Sequence, residues 1–132
     1  MGRRFRALKL WFLLREQGVE GLQARLRRDL ANAQWLKDVV DRARNWERLG
    51  PVHLQTVCIR HLPKGMREEA ALATHNLRIA ETINRRGRAY LTPSVLKGQQ
   101  MLRVSIGAET TERHHVEVLW EELQAAAQSA VV

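Results

Sequence analysis

The sequence predicts an α+β fold: a small antiparallel or mixed β-sheet with helices packed on one face, preceded by a two-helix arm. Three observations predict it. Apolar residues recur at helical spacing in four stretches. The material between them reads as strands too short for parallel pairing. The elements run α-α-β-β-α-β-β-α, with helices before, between and after the strands, so that residues 1–44 read as the arm and 45–132 as the α+β unit.

The first helix spans about Arg3 to Gln17. Phe5, Leu8 and Phe12 share a face, and Leu10, Trp11, Leu13 and Leu14 widen it over most of the circumference. A helix apolar on most sides is buried on most sides, so this one is expected to pack against something the 132 residues do not supply. Gly18 is its stop. The second helix, about Val19 to Arg44, carries the clearest periodicity, in Val19, Leu22, Leu26, Leu30, Ala33, Leu36, Val40 and Ala43. Trp46 to Leu49 and Leu54 to His61 follow as strands across Gly50-Pro51, and Pro63-Lys64-Gly65 makes a turn. The third helix begins between Arg67 and Asn76 and ends at Arg86 before Gly87, with Ala73, Leu77, Ala80 and Ile83 as its stripe. Arg88 to Leu91 reads as a short strand limited by Pro93, and Gln100 to Ile106 as the last strand. Thr110 or Thr111 is expected to cap a final helix that buries Val116, Leu119, Trp120, Leu123 and Ala127.

Composition narrows the function classes. The 132 residues fit one domain, or a domain and an arm, and can bury about two-thirds of the unfolded chain's surface without a staple. The single cysteine, Cys58, rules out an internal disulfide and a thiolate-built metal site. No apolar run reaches the ~18 residues of a membrane span, and no signal-peptide pattern follows the basic start, so a cytoplasmic protein is expected. The net charge of +8 is mostly arginine, and the first 28 residues hold eight basic groups against two acids. That invites a nucleic-acid reading. It is weakened because Arg3, Arg4, Arg6 and Lys9 interleave with Phe5, Leu8, Trp11 and Phe12, where phosphate binding needs cations free to face solvent.

No self-contained active site emerges. None of the five histidines (53, 61, 75, 114 and 115) has metal-ligand spacing, and they read as surface or capping groups. Cys58, mid-strand, reads as a buried inert thiol. Lys9 lies in an apolar helix, where a snorkelling lysine is expected.

The segment Gly2-Arg3-Arg4-Phe5-Arg6-Ala7-Leu8-Lys9-Leu10-Trp11-Phe12 resembles the Gly-Arg-Arg-Phe-x-x-Leu-Lys-x-Trp stretch of the pyridoxal-phosphate-dependent group II decarboxylases, the aromatic-L-amino-acid and tyrosine decarboxylase family. Gly18-Val19-Glu20-Gly21-Leu22, Val57-Cys58-Ile59-Arg60, Asn76-Leu77 through Ile83-Asn84, Leu91-Thr92-Pro93, Leu102-Arg103, and Thr110-Thr111 followed by Val116 and Trp120 resemble later family segments in order. The sequence departs from the family at Gln17, at Ile59 and at Ala43-Arg44-Asn45-Trp46-Glu47, which are packing positions. The resemblance covers essentially the whole chain and implies the C-terminal small domain of a fold-type I enzyme of this class. A truncated gene, a split enzyme or an excised domain would all give this pattern.

The family's cofactor lysine follows a histidine in a preceding large domain. Here Lys9, Lys37 and Lys97 follow leucine and Lys64 follows proline. The resemblance therefore implies that pyridoxal phosphate belongs to the intact enzyme, and that this chain alone neither holds it as a Schiff base nor decarboxylates. It also implies that Gly2 lines the partner subunit's substrate pocket, that Arg103 faces the active site, where it either binds a substrate carboxylate or makes a structural ion pair, and that Arg3, Arg4, Phe5, Leu8, Trp11 and Phe12 belong to a dimer interface. No catalytic or metal-binding residue is expected. A stand-alone dimerisation or regulatory module that binds a full-length decarboxylase is the competing reading.

Overall fold

Backbone geometry at Gly18 divides the N-terminal helical segment, α1 (Ala7–Arg42), in two. The computed structural model describes residues 5–130. Gly18 has φ 66° and ψ 176°, a region open in practice only to glycine, so the stop falls where the sequence put it. A Cβ at this position meets nothing within 4 Å, so only the backbone opposes a side chain here. Residues 5–17 are exposed except for Leu13 and Gln17, and Gln17 donates to Glu109 at 3.1 Å. Gly18→Ala is therefore expected to relieve its strain by straightening the junction. Unfolding free energy should stay within about 0.5 kcal/mol, while small-angle scattering reports a redirected arm.

Beyond Gly18 the predicted stripe is buried only in its second half. Ala33, Leu36 and Val40 are fully buried, whereas Val19 and Leu26 are 68% and 46% exposed. The helix outruns the sheet it packs on, so the periodicity continues with nothing in the described chain to cover it. Arg25 and Arg28 tie this part down, to the carbonyls of Gly107 (2.8 Å) and Glu109 (2.7 Å) and the Glu112 carboxylate (2.9 Å).

Four strands form one sheet in the order β1-β2-β4-β3, with every pairing antiparallel: β1 (Trp46–Arg48), β2 (Thr56–His61), β3 (Thr92–Leu96) and β4 (Gln99–Ser105). Val57, Ile59, Leu102 and Val104 alternate onto the face covered by the helices, α2 (Glu69–Arg86) and α3 (Arg113–Ser129) among them. The α+β reading is correct, and the antiparallel option is the one realised.

Three local expectations are corrected. The third strand is Thr92–Leu96 and not Arg88–Leu91. Pro93 sits inside it because β3 lies at the sheet edge, where a missing N–H is tolerated. A two-residue turn, Lys97 (φ 51°) and Gly98 (φ 82°), joins β3 to β4, and positive φ at both positions is the type I′ pattern that matches strand twist. The buried stripe of α2 is Leu72, His75, Asn76, Ile79, Ala80 and Ile83, with Leu77 43% exposed. The last helix starts one residue later than a threonine cap would place it. Glu112 is its N-cap, with the Glu112 backbone N–H donating to His115 Nδ1 at 3.0 Å. Gly87 ends α2 in the left-handed conformation, as expected.

Two asparagines of α2 stand in for absent strand neighbours. The β2–β4 register stops at Ile59↔Leu102. At His61, the Asn76 side chain accepts from the backbone N–H (2.8 Å) and donates to the carbonyl (3.0 Å). Two turns later, Asn84 does the same for Leu91, at 2.7 and 3.0 Å. Their side-chain amides complete the ladder where strands run out.

Candidate functional site

The sheet face away from the helices holds Arg103, the candidate site residue within the described strands. Cross-strand register puts Cys58 of β2 and Thr92 of β3 on either side of Arg103 of β4, and Thr56 beside Ser105, their hydroxyls 3.3 Å apart. Arg103 is exposed, and among the described residues it makes no hydrogen bond or ion pair. Its guanidinium is free to take a carboxylate in two parallel hydrogen bonds. Cys58 is half-buried, and burial pushes its thiol up despite the charge of Arg103, so it stays protonated and inert.

Near one end of this face Arg60 is held rigidly. It is 6% exposed, its Nε lies 2.8 Å from Glu47 and its Nη1 3.0 Å from Glu69. Burial disfavours its charge, and the two carboxylates more than restore it. Glu69 also accepts from the backbone N–H of Gln100 (3.2 Å), which links the start of α2 to β4. This is a structural triad, in which Nε and Nη1 of Arg60 both donate to carboxylates.

The second surface is the arm. Phe5, Leu8, Trp11 and Phe12 are 74%, 44%, 52% and 57% exposed. Phe5, Ala7, Leu8 and Trp11 border one apolar hollow. Trp11 and Phe12 meet edge to face at 5.0 Å, and Arg15 lies 5.8 Å over the Trp11 ring. The helix that reads as buried on most sides is bare in the single chain. Gly2, Arg3 and Arg4 lie outside the described residues.

A Schiff-base lysine needs a neutral amine in a pocket. Lys9, Lys64 and Lys97 are exposed. Lys37 pairs with Asp38 (3.0 Å) and Asp41 (3.5 Å), and its ammonium is held above the usual range, first by the hydrogen bond to Asp38. Among the described residues, no three His, Cys, Asp or Glu are grouped to hold a metal ion. No described helix is long and apolar enough to cross a membrane.

The expectation that the histidines are surface or capping groups holds only in part. His115 does cap α3, but His61 and His75 are buried and paired, Nδ1 to Nε2, at 2.8 Å. They lie 14 residues apart on a strand and a helix, so no local spacing announces them.

Comparison with known proteins follows the same lines. Residues 1–62 match the pyridoxal-dependent decarboxylase conserved domain. The chain is 34% identical over 125 residues to an aromatic-L-amino-acid decarboxylase of Catharanthus roseus, covering 93% of this chain and 24% of the relative. It is 38% identical over 127 residues to that of Drosophila melanogaster, covering 96% and 23%. The structure of Oryza sativa TDC with PLP and tryptamine superposes with a TM-score of 0.86 at 33% identity, over 97% of this chain and 28% of that one. Tryptophan decarboxylase of Catharanthus roseus, solved with L-tryptophan, gives 0.83 at 33%, over 98% and 26%. The chain thus spans about a quarter of the length of the relatives it matches.

Proposed function

From the premise that this chain belongs to the pyridoxal-dependent decarboxylase family, we propose that it supplies the C-terminal small domain, residues 45–132, and the connecting arm, residues 1–44, of a decarboxylase acting on aromatic L-amino acids. The observation that carries this reading is the match along almost the entire chain, in sequence and fold, to enzymes named for tryptophan and aromatic amino acids. Pyridoxal phosphate is held by a large domain in such an enzyme. These 132 residues contain no His-Lys pair and no lysine suited to an aldimine, so they do not decarboxylate by themselves.

Each site residue has a role in this reading. Arg103, exposed and without an anionic partner, binds the substrate carboxylate from the small-domain side. Gly2 leaves room for an aromatic side chain in the partner's pocket. Arg3, Arg4, Phe5, Leu8, Trp11 and Phe12 form the contact with a second subunit or with the large domain, and the exposed apolar arm supports this. A protein partner suits the arm better than nucleic acid, because Arg25 and Arg28 are already engaged within the fold. The cytoplasm is the compartment, consistent with one unpaired cysteine.

The exposed arm also favours a second reading, a dimerisation or regulatory module for a full-length decarboxylase. Reconstitution separates the two. The chain is mixed with pyridoxal phosphate and a related decarboxylase from which the matching segment has been removed. Release of CO2 from L-tryptophan or L-tyrosine by the mixture, and by neither component alone, is the expected result. Native mass spectrometry showing only a homodimer, or a silent complex with an intact homologue, would favour the module.

A further inference from the structure

A pair of buried histidines joins two elements of this fold. His61 ends β2, and His75 lies on α2, with Nδ1 of the first 2.8 Å from Nε2 of the second. They are 9% and 3% exposed. At that separation one ring donates and the other accepts, so the pair accommodates a first added proton, but a second sets two N–H groups against each other.

Among the described residues, the cavity beside His61 offers added charge no carboxylate. Arg44 and Lys64 border the cavity that His61 lines, and α3 offers it only Gln124, Ala127 and Gln128. Trp46 of β1 covers the His61 ring at 4.9 Å and itself meets Trp120 of α3 at 5.2 Å. Arg78 adds like charge near His75 from the same helix. Among the described residues, buried Nδ1 of His75 has no partner within normal hydrogen-bond geometry. The backbone carbonyl of Ala130, just past the end of α3, is the group that favours a proton on that ring.

We propose that His61 and His75 form an acid-sensitive latch, which holds β2, α2 and the C-terminal end of α3 together while uncharged and releases that end of α3 when protonated. The direction follows from burial. Burial first, then the charge of His75, holds His61 at about 4 instead of 6.5, and burial lowers His75 as well. Both are depressed histidines, so the unfolded or opened form takes up protons first. The latch is fully closed above about pH 6.5 and weakens as pH falls from there toward about 4. Each unit of depression is a factor of ten in proton affinity, so the opened population should rise at least about tenfold between pH 7 and pH 5.

Amide hydrogen exchange on the 132-residue chain, corrected for intrinsic exchange, tests this. Protection of residues 123–129 should fall at least about tenfold from pH 7 to pH 5 relative to β4, and His61→Leu/His75→Leu should abolish that pH dependence. Should the double variant not fold, long-range nitrogen–proton NMR of the wild-type imidazoles decides: complementary tautomers, one ring donating to the other, are expected at pH 7. Both rings titrating near 6.5, or α3 losing no more protection than the rest of the core, would overturn the latch.

Discussion

Replacing Trp11 and Phe12 together by serine is expected to weaken self-association of the chain about a thousandfold or more while leaving the fold intact. Both rings are half-exposed, at 52% and 57%, and neither belongs to the hydrophobic core. Each still offers roughly 1–1.5 kcal/mol of burial to a partner. In a two-fold dimer every substitution counts twice, so the pair is worth about 4–6 kcal/mol, or three to four powers of ten in Kd. Phe5 and Leu8 border one hollow with Trp11, so they extend the surface that a partner would cover. Sedimentation velocity over a dilution series reads the change, and unfolding by urea checks that stability is unaltered. A wild-type chain that stays monomeric at high concentration and binds no hydrophobic dye would show that the arm is not an interface.

The second large effect is inside the domain. Asn76→Ala should cost about 4 kcal/mol. Asn76 is fully buried and makes three hydrogen bonds, with the His61 N–H (2.8 Å), the His61 carbonyl (3.0 Å) and the Leu72 carbonyl (2.9 Å). Alanine leaves two backbone groups of His61 buried without partners, at about 1–3 kcal/mol each, and opens a small void. Asn76→Asp tests the mechanism. It preserves size and the acceptor for the N–H, but turns a carboxylate toward two carbonyls, so it should be nearly as damaging. Asn84→Ala, at a half-buried position with the same pair of bonds to Leu91, should cost about half as much. Urea midpoints for the three variants give the order directly.

The sequence was most legible where one residue type answers one geometric demand. Gly18 and Gly87 mark helix ends because their positive φ angles strongly favour glycine. The apolar circumference of residues 5–14 is legible directly, and among the described residues nothing covers it. The failures share a cause: they depend on position in the sheet. Pro93 argues against a strand unless the strand is known to be an edge, and edge position is set by the β4 pairing, not by local sequence. Periodicity alone puts Leu77 on the α2 stripe, because leucine outranks asparagine in any apolar pattern. The buried Asn76 displaces it, because β2 needs an amide at that point. In the sequence only the family resemblance marks Arg103, and its openness on the bare sheet face is a property of the strand register. The His61–His75 pair joins two elements, and neither residue signals the other.

The central claim, that these residues belong to a pyridoxal-dependent decarboxylase yet do not themselves hold its cofactor, has one direct measurement. The purified chain is incubated with pyridoxal phosphate and L-tryptophan, CO2 is followed, and the sample is then reduced with borohydride and weighed intact. The account predicts no CO2 and an unmodified mass of 15.2 kDa. A stoichiometric pyridoxyl adduct on Lys9, Lys37, Lys64 or Lys97, together with CO2 release, would contradict it.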